Sequence, residues 1–159
     1  MKPYEFKSEQ LLDISIEEAW DFFSSPANLS KITPPSLDFR IISKSEGQPI
    51  YDGMEIVYTV KPIFGIPLKW KTLISDVVIH RQFTDKQLEG PYTMWEHTHN
   101  FVQTTDGLLM TDLIRYQLPM GIIGRIFHKL FVQKRIHDIF NYRHNTLKKL
   151  FDQHGTLAH

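Results

Sequence analysis

The 159-residue chain has no cysteine. That excludes disulfides, thiol catalysis and cysteine-ligated zinc or iron–sulfur centres. It also has no excess charge, since eighteen basic and eighteen acidic side chains cancel, so no nucleic-acid partner is expected. No apolar run approaches the ~18 residues of a membrane span, and the opening MKPYEFKSEQ has no signal-peptide core. A cytoplasmic chain without stable membrane insertion is the expectation. Also missing are a G-x-x-x-x-G-K phosphate loop, G-x-G-x-x-G, G-x-S-x-G and H-E-x-x-H. There is no internal repeat or low-complexity linker, so residues 1–159 are expected to form a single domain.

What is present is a large apolar complement, 42% of residues, with 13% aromatic, enough for a sizeable core. Tyr4 to Asp13 alternates, with Phe6, Ser8, Gln10 and Leu12 on one face, and reads as a strand. Ser15 can cap a helix from Ile16 to Ser24, with Glu17 and Glu18 in the first turn where the helix dipole favours anions. Pro26 ends it, and Ala27 to Ile32 forms a second short helix before Pro34 and Pro35.

Strand signals follow at Leu37–Ser43, Gly53–Lys61, Leu68–Ser75, Phe83–Leu88, Tyr92–Gln103 and Leu108–Leu118. Breaks at Gly47, Pro62 to Pro67 and Gly90-Pro91 separate them, and Asp106-Gly107 marks a tight turn. From Ile122 to Phe151 the apolar residues recur every three or four positions, which predicts one long amphipathic helix. One stripe is Ile123, Phe127, Leu130 and Phe131; another is Ile136, Ile139, Phe140, Leu147 and Leu150. The two are out of phase across Val132 to Arg135, where a bend is expected. The simplest way to bury both faces is a curved antiparallel sheet around this helix.

The segment Met94-Trp-Glu-His-Thr-His-Asn-Phe101 carries the most chemical information. Alternation puts Trp95, His97, His99 and Phe101 on one face. A symmetric hairpin about Thr104–Gly107 sets Trp95 opposite Tyr116, His97 opposite Ile114, His99 opposite Asp112 and Phe101 opposite Met110. On the reverse face Glu96 meets Arg115. The inner face then holds polar groups among aromatic walls, and burying them is costly unless they are partnered. Three readings stay open: His99 and Asp112 satisfy each other and hold the hairpin, they line a ligand cavity, or they act in catalysis. His97, His99 and Asp112 also resemble a two-histidine, one-carboxylate metal set, though the signal is weak. The remaining histidines, 80, 128, 137, 144, 154 and 159, read as helix surface or tail.

Two apolar turns, Lys61–Leu68 with Ile63, Phe64 and Ile66, and Leu118–Gly124, read either as packed tips or as rims of a cavity mouth. Residues 1–30 carry two basic against six acidic side chains, and residues 122–152 seven basic against two acidic. The basic helix face reads as solvated, with an anionic partner as the alternative.

The element order resembles the START/polyketide-cyclase superfamily, in particular the bacterial ligand-binding SRPBCC-domain proteins. So do Ile16-Glu-Glu-Ala-Trp-Asp-Phe-Phe23, Asn28-Leu-Ser-Lys-Ile-Thr-Pro-Pro35, Met94-Trp-Glu-His97, Thr111-Asp-Leu-Ile-Arg-Tyr-Gln-Leu-Pro119 and Phe140-Asn-Tyr-Arg143. The resemblance implies an α+β helix-grip fold, a seven-stranded antiparallel sheet around a C-terminal helix with a hydrophobic cavity between them. It implies ligands such as lipids, polyketides or aromatic molecules, and carries over no catalytic residue, cofactor or metal. Some relatives, the Rieske-type oxygenases, hold iron with two histidines and a carboxylate, but the strand motif here does not match their helical spacing.

The function expected is therefore binding of a small apolar molecule. The candidate site is Trp70, Trp95, His97, His99, Phe101, Asp112, Ile114, Tyr116, Phe127 and Phe131. The alternatives are a cyclase- or dehydratase-like enzyme with His97 or His99 as base and Tyr116 as acid, and a protein-interaction module whose cavity is filled by its own side chains.

Overall fold

The computed structural model describes residues 2–62, 64–119 and 121–152; Ile63, Met120, His154 and His159 lie outside them. Strand β1 (Tyr4–Leu12) runs into helix α1 (Ile16–Phe23), and two 3-10 turns follow, Pro26–Ile32 and Pro35–Leu37. Then come β2 (Arg40–Ile41), β3 (Glu55–Val60), β4 (Leu68–Val78), β5 (Gln82–Glu89), β6 (Met94–Thr104) and β7 (Gly107–Gln117). The chain closes with α2 (Gly121–Phe127), a π turn (His128–Val132) and α3 (Gln133–Phe151).

The α1 cap is built as the residue types dictate. Ser15 accepts from the Glu18 backbone, and the Glu18 carboxylate accepts from the Ser15 backbone N–H at 2.9 Å. The proline-rich stretch after it departs from expectation: the second helix is a 3-10 turn, and the strand expected over 37–43 shrinks to two residues. Pro34 and Pro35 offer no backbone donor, and Asp38 sits at φ 45°, a conformation no strand can hold.

The seven strands form one antiparallel sheet in the order β1-β7-β6-β5-β4-β3-β2. The β6–β7 register is the symmetric one, Trp95 with Tyr116, His97 with Ile114, His99 with Asp112 and Phe101 with Met110. Register shifts in the β4–β5 pair at Lys71/Thr72 and Ser75/Val78 bend the sheet, as bulges do. The last helix lies across its concave face, giving the helix-grip architecture.

The phase slip between the helical stripes has a physical cause. The buried positions are Gly124, His128, Val132, Ile136 and Phe140, each four residues after the last, then Arg143 and Leu147. Steps of four on a regular helix drift by about 40° each. A wider π turn at His128–Val132 absorbs part of that drift. The stripe expected of Ile123, Phe127, Leu130 and Phe131 is therefore not the inward one. Ile123, Leu130 and Phe131 are exposed and Phe127 is half-buried, while Gly124, His128 and Val132 turn inward. His128 is accordingly a buried residue, not a surface one.

Gly107 shows how tightly the β6–β7 turn closes on the end of β1. Its φ is +131°, and a Cβ there would stand 2.5 Å from the Leu12 carbonyl oxygen. Gly107→Ala is expected to cost about 1–3 kcal/mol from the backbone conformation alone, read as a lowered urea midpoint. Gly47→Ala, in open space, is the control and should stay near wild type.

Candidate functional site

A cavity of about 200 Å³ lies between sheet and helix, far more room than one water needs. The described residues do not fill this space with their own side chains. Its sheet walls include Tyr58, Trp70 and Trp95, with Tyr92 from the β5–β6 loop; its helix wall includes Val132, Ile136, Ile139 and Phe140; Phe22, Phe23, Leu29 and Ile32 close another side. Trp70 meets Trp95 edge to face at 5.4 Å and lies 5.6 Å from Tyr92, a packing that fixes aromatic walls in place.

Polar groups concentrate on one part of this wall. Strand β6 aims His97 and His99 inward, β5 supplies Asp85 opposite His97, and β7 supplies Asp112 opposite His99. His97 Nε2 donates to Asp112 Oδ1 at 2.7 Å, and His99 Nε2 donates to Asp85 Oδ2 at 3.0 Å. His99 Nδ1 is 3.0 Å from Asp112 Oδ1 but makes no aligned hydrogen bond. Helix α3 adds Arg143, whose Nη1 is 3.6 Å from Asp112 Oδ1 and whose guanidinium lies 4.8 Å over the Phe140 ring.

Burial and neighbours decide the charges. Burial disfavours ionised Asp112, but the imidazole hydrogen bonds outweigh it and hold the carboxyl far below the usual range. Asp85 is lowered too, with burial opposed by His97, His99 and Arg143. For His99, burial opposes the proton but the two carboxylates prevail and raise its pKa; for His97, burial and the adjacent His99 prevail and lower it. The resulting cluster sets two carboxylates against Arg143 and two imidazoles, with the proton favoured on His99 over His97.

Of the residues expected at the site, Trp70, Trp95, His97, His99 and Ile114 line the cavity. Asp112 stands behind the imidazoles. Phe101 packs in the solid core with Trp20, Phe83 and Met110. Tyr116 engages His128 Nε2 through its hydroxyl at 2.7 Å, its own pKa pushed up to about 12 by burial. Phe127 packs against the Ile114–Tyr116 group, and Phe131 lies on the surface 5.6 Å from Phe64.

Asp85 and Arg143 were missed by the sequence reading. Extending the β6 register to β5 would have found Asp85, which shares a strand face with the buried Phe83. Arg143 is the one charged residue in the Ile136–Phe140–Leu147 buried stripe, a position that counting it with the basic face concealed.

No family model matches the chain, and no curated protein matches it. Solved structures do. The KanY protein superposes with a TM-score of 0.70 at 14% identity, over 94% of this chain and 97% of that one. Major latex-like protein 151 from Panax ginseng gives 0.69 at 13% identity, over 95% and 99%. The di-domain ARO/CYC StfQ of the steffimycin biosynthetic pathway gives 0.66 at 9% identity, over 93% of this chain and 52% of that one. At such identities the likeness establishes the shared helix-grip fold.

Removing a buried charge partner leaves the others uncompensated, so Asp112→Ala is expected to destabilise by about 3–5 kcal/mol in urea unfolding. Glu96→Ala, which breaks a 4.0 Å surface contact with Arg115, should cost under about 1 kcal/mol. The cluster also sets a pH window. The lowered Asp85 and Asp112 stabilise the fold above about pH 4, and this is lost as pH falls through their folded values. The raised His99 stabilises it below about pH 6.5, and this is lost as pH rises through its folded value. The lowered His97 penalises the fold below about pH 6.5 and offsets part of the His99 contribution, so unfolding midpoints measured from pH 3 to 9 should fall most on the acid side, and that fall should flatten in Asp112→Ala.

Proposed function

We propose that the protein binds a small, mostly apolar molecule in the cavity, with an oxygen-bearing end turned to the polar wall. The observation that carries this reading is the combination of an aromatic-walled space with buried donors that lack partners. Trp70 and Arg143 both line the cavity, and among the described residues Trp70 Nε1 and Arg143 Nε have no hydrogen-bond partner. Leaving such groups unpaired costs about 1–3 kcal/mol each, and a carbonyl or carboxylate oxygen would remove that cost. In this reading Trp70, Trp95 and Ile114 hold the apolar body. His97 and His99, braced by Asp112, stand with Asp85 and Arg143 near the polar end. Burying about 200 Å² of apolar ligand surface contributes on the order of 5 kcal/mol before association costs, which suits micromolar affinity.

A second reading, a cyclase- or dehydratase-like enzyme, is favoured by one observation. Asp85 faces the cavity and receives a hydrogen bond from His99, which is the arrangement of an acid–base carboxylate with an orienting imidazole. The imidazole nitrogens themselves already face carboxylates, so in this reading Asp85, and not His97 or His99, meets the substrate.

Displacement of a naphthalene sulfonate fluorophore by a panel of apolar carboxylates and aromatic ketones tests the binding. Displacement at micromolar concentration is expected. Ile139→Trp, which puts an indole into the cavity from a half-buried helix position, should weaken it at least ~10-fold with the circular dichroism unchanged. Failure of every compound to displace the probe, and of native mass spectrometry to detect any adduct, would overturn the reading.

A further inference from the structure

Hydrogen bonding alone does not complete the pair of imidazoles. His97 Nε2 is engaged by Asp112 Oδ1 at 2.7 Å, which leaves Nδ1 as the ring's cavity-side nitrogen. That nitrogen lies 3.6 Å from Asp85 Oδ2, too far for a hydrogen bond. An imidazole nitrogen thus faces a carboxylate across a buried gap that a bound cation can bridge. His99 repeats the pattern, with one ring nitrogen 3.0 Å from Asp85 and the other 3.0 Å from Asp112. Each ring therefore has one nitrogen toward the cavity-side carboxylate and one toward the carboxylate behind.

This is the layout of a metal site with its outer support. One donor atom each from Asp85, His97 and His99 fall within 4.8 Å of one another. Bonds of about 2.0–2.2 Å span donors up to about 4.4 Å apart, so small side-chain rotations close the set. Asp112 sits where a carboxylate orients the rings of ligating histidines. Its own charge is balanced by Arg143 at 3.6 Å, which leaves Asp85 to offset part of a divalent charge. The donor set of two imidazoles and one carboxylate suits first-row divalent ions, and Zn²⁺ among them takes both ligand types.

We infer that Asp85, His97 and His99 form a binding site for a divalent first-row transition-metal ion, oriented by Asp112 and with a coordination position open to the cavity. The sequence pattern points to His97, His99 and Asp112; the geometry moves Asp112 behind the rings and brings Asp85 into the ligand set. The site does not depend on the cavity's organic ligand, and its test uses none.

The full chain, stripped with chelator, is titrated with Co²⁺ alone. One ion per chain is expected, with the visible absorption of four- or five-coordinate Co²⁺, and with Zn²⁺ displacing it. X-ray absorption of the Zn²⁺-loaded wild-type protein should find two imidazole ligands together with oxygen donors. His99→Ala and Asp85→Asn should each weaken Co²⁺ binding at least ~10-fold, Asp112→Asn ~10–100-fold through lost orientation, and His80→Ala, on the surface, not at all. Binding weaker than millimolar, a six-coordinate spectrum, or an imidazole number other than two would overturn the inference. Unchanged affinity in folded Asp85→Asn and His99→Ala would do the same. Should those variants not fold, the ligand count in the wild-type protein decides.

Discussion

The structure turns on one buried carboxylate. Asp112 stands in β7, between β1 and β6, with almost no access to water, a position that an isolated charge cannot hold. It persists because two imidazoles from β6 and a guanidinium from α3 converge on one of its oxygens. Those contacts tie the sheet to the helix that crosses it. They also fix the direction in which both imidazoles present their far nitrogens, toward Asp85 and the cavity. Fold and polar wall are here the same set of contacts: the charge that would be lethal to the core if unpaired is what orders the polar side of the cavity.

The comparison between pattern and structure is clearest at particular elements. The β6–β7 hairpin was legible because a period of two and a short turn leave a single register that puts Trp95, His97, His99 and Phe101 on the same face as Met110, Asp112, Ile114 and Tyr116. The helix was legible as a helix, but its inward face was not. Periodicity counts apolar side chains, and here small and polar residues, Gly124, His128 and Arg143, occupy buried positions while Ile122, Ile123 and Ile126 face solvent. Asp85 was hidden for a related reason: β5 is polar along most of its length, so its alternation carries little hydrophobic signal.

Charge shows the same difference between count and role. The seven basic side chains of residues 122–152 suggest a uniform solvated face. In the fold they divide: Lys134 pairs with Asp138 on the surface, Arg135 donates to the Pro62 carbonyl at 2.9 Å and holds that loop to the helix, and Arg143 is buried against Asp112. The first is worth little, the second places loop backbone at the cavity wall, and the third belongs to the core.

The closing helix is fastened unevenly along its length. Near Leu147 it sinks into the compact cluster around Trp20, Phe101 and Leu108, whereas α2 buries only Gly124 and leaves three isoleucines in water. Local opening is cheapest where few apolar contacts must be broken. The α2 end is thus a soft margin beside a hard one, and the wide turn at His128–Val132 falls on the boundary between them.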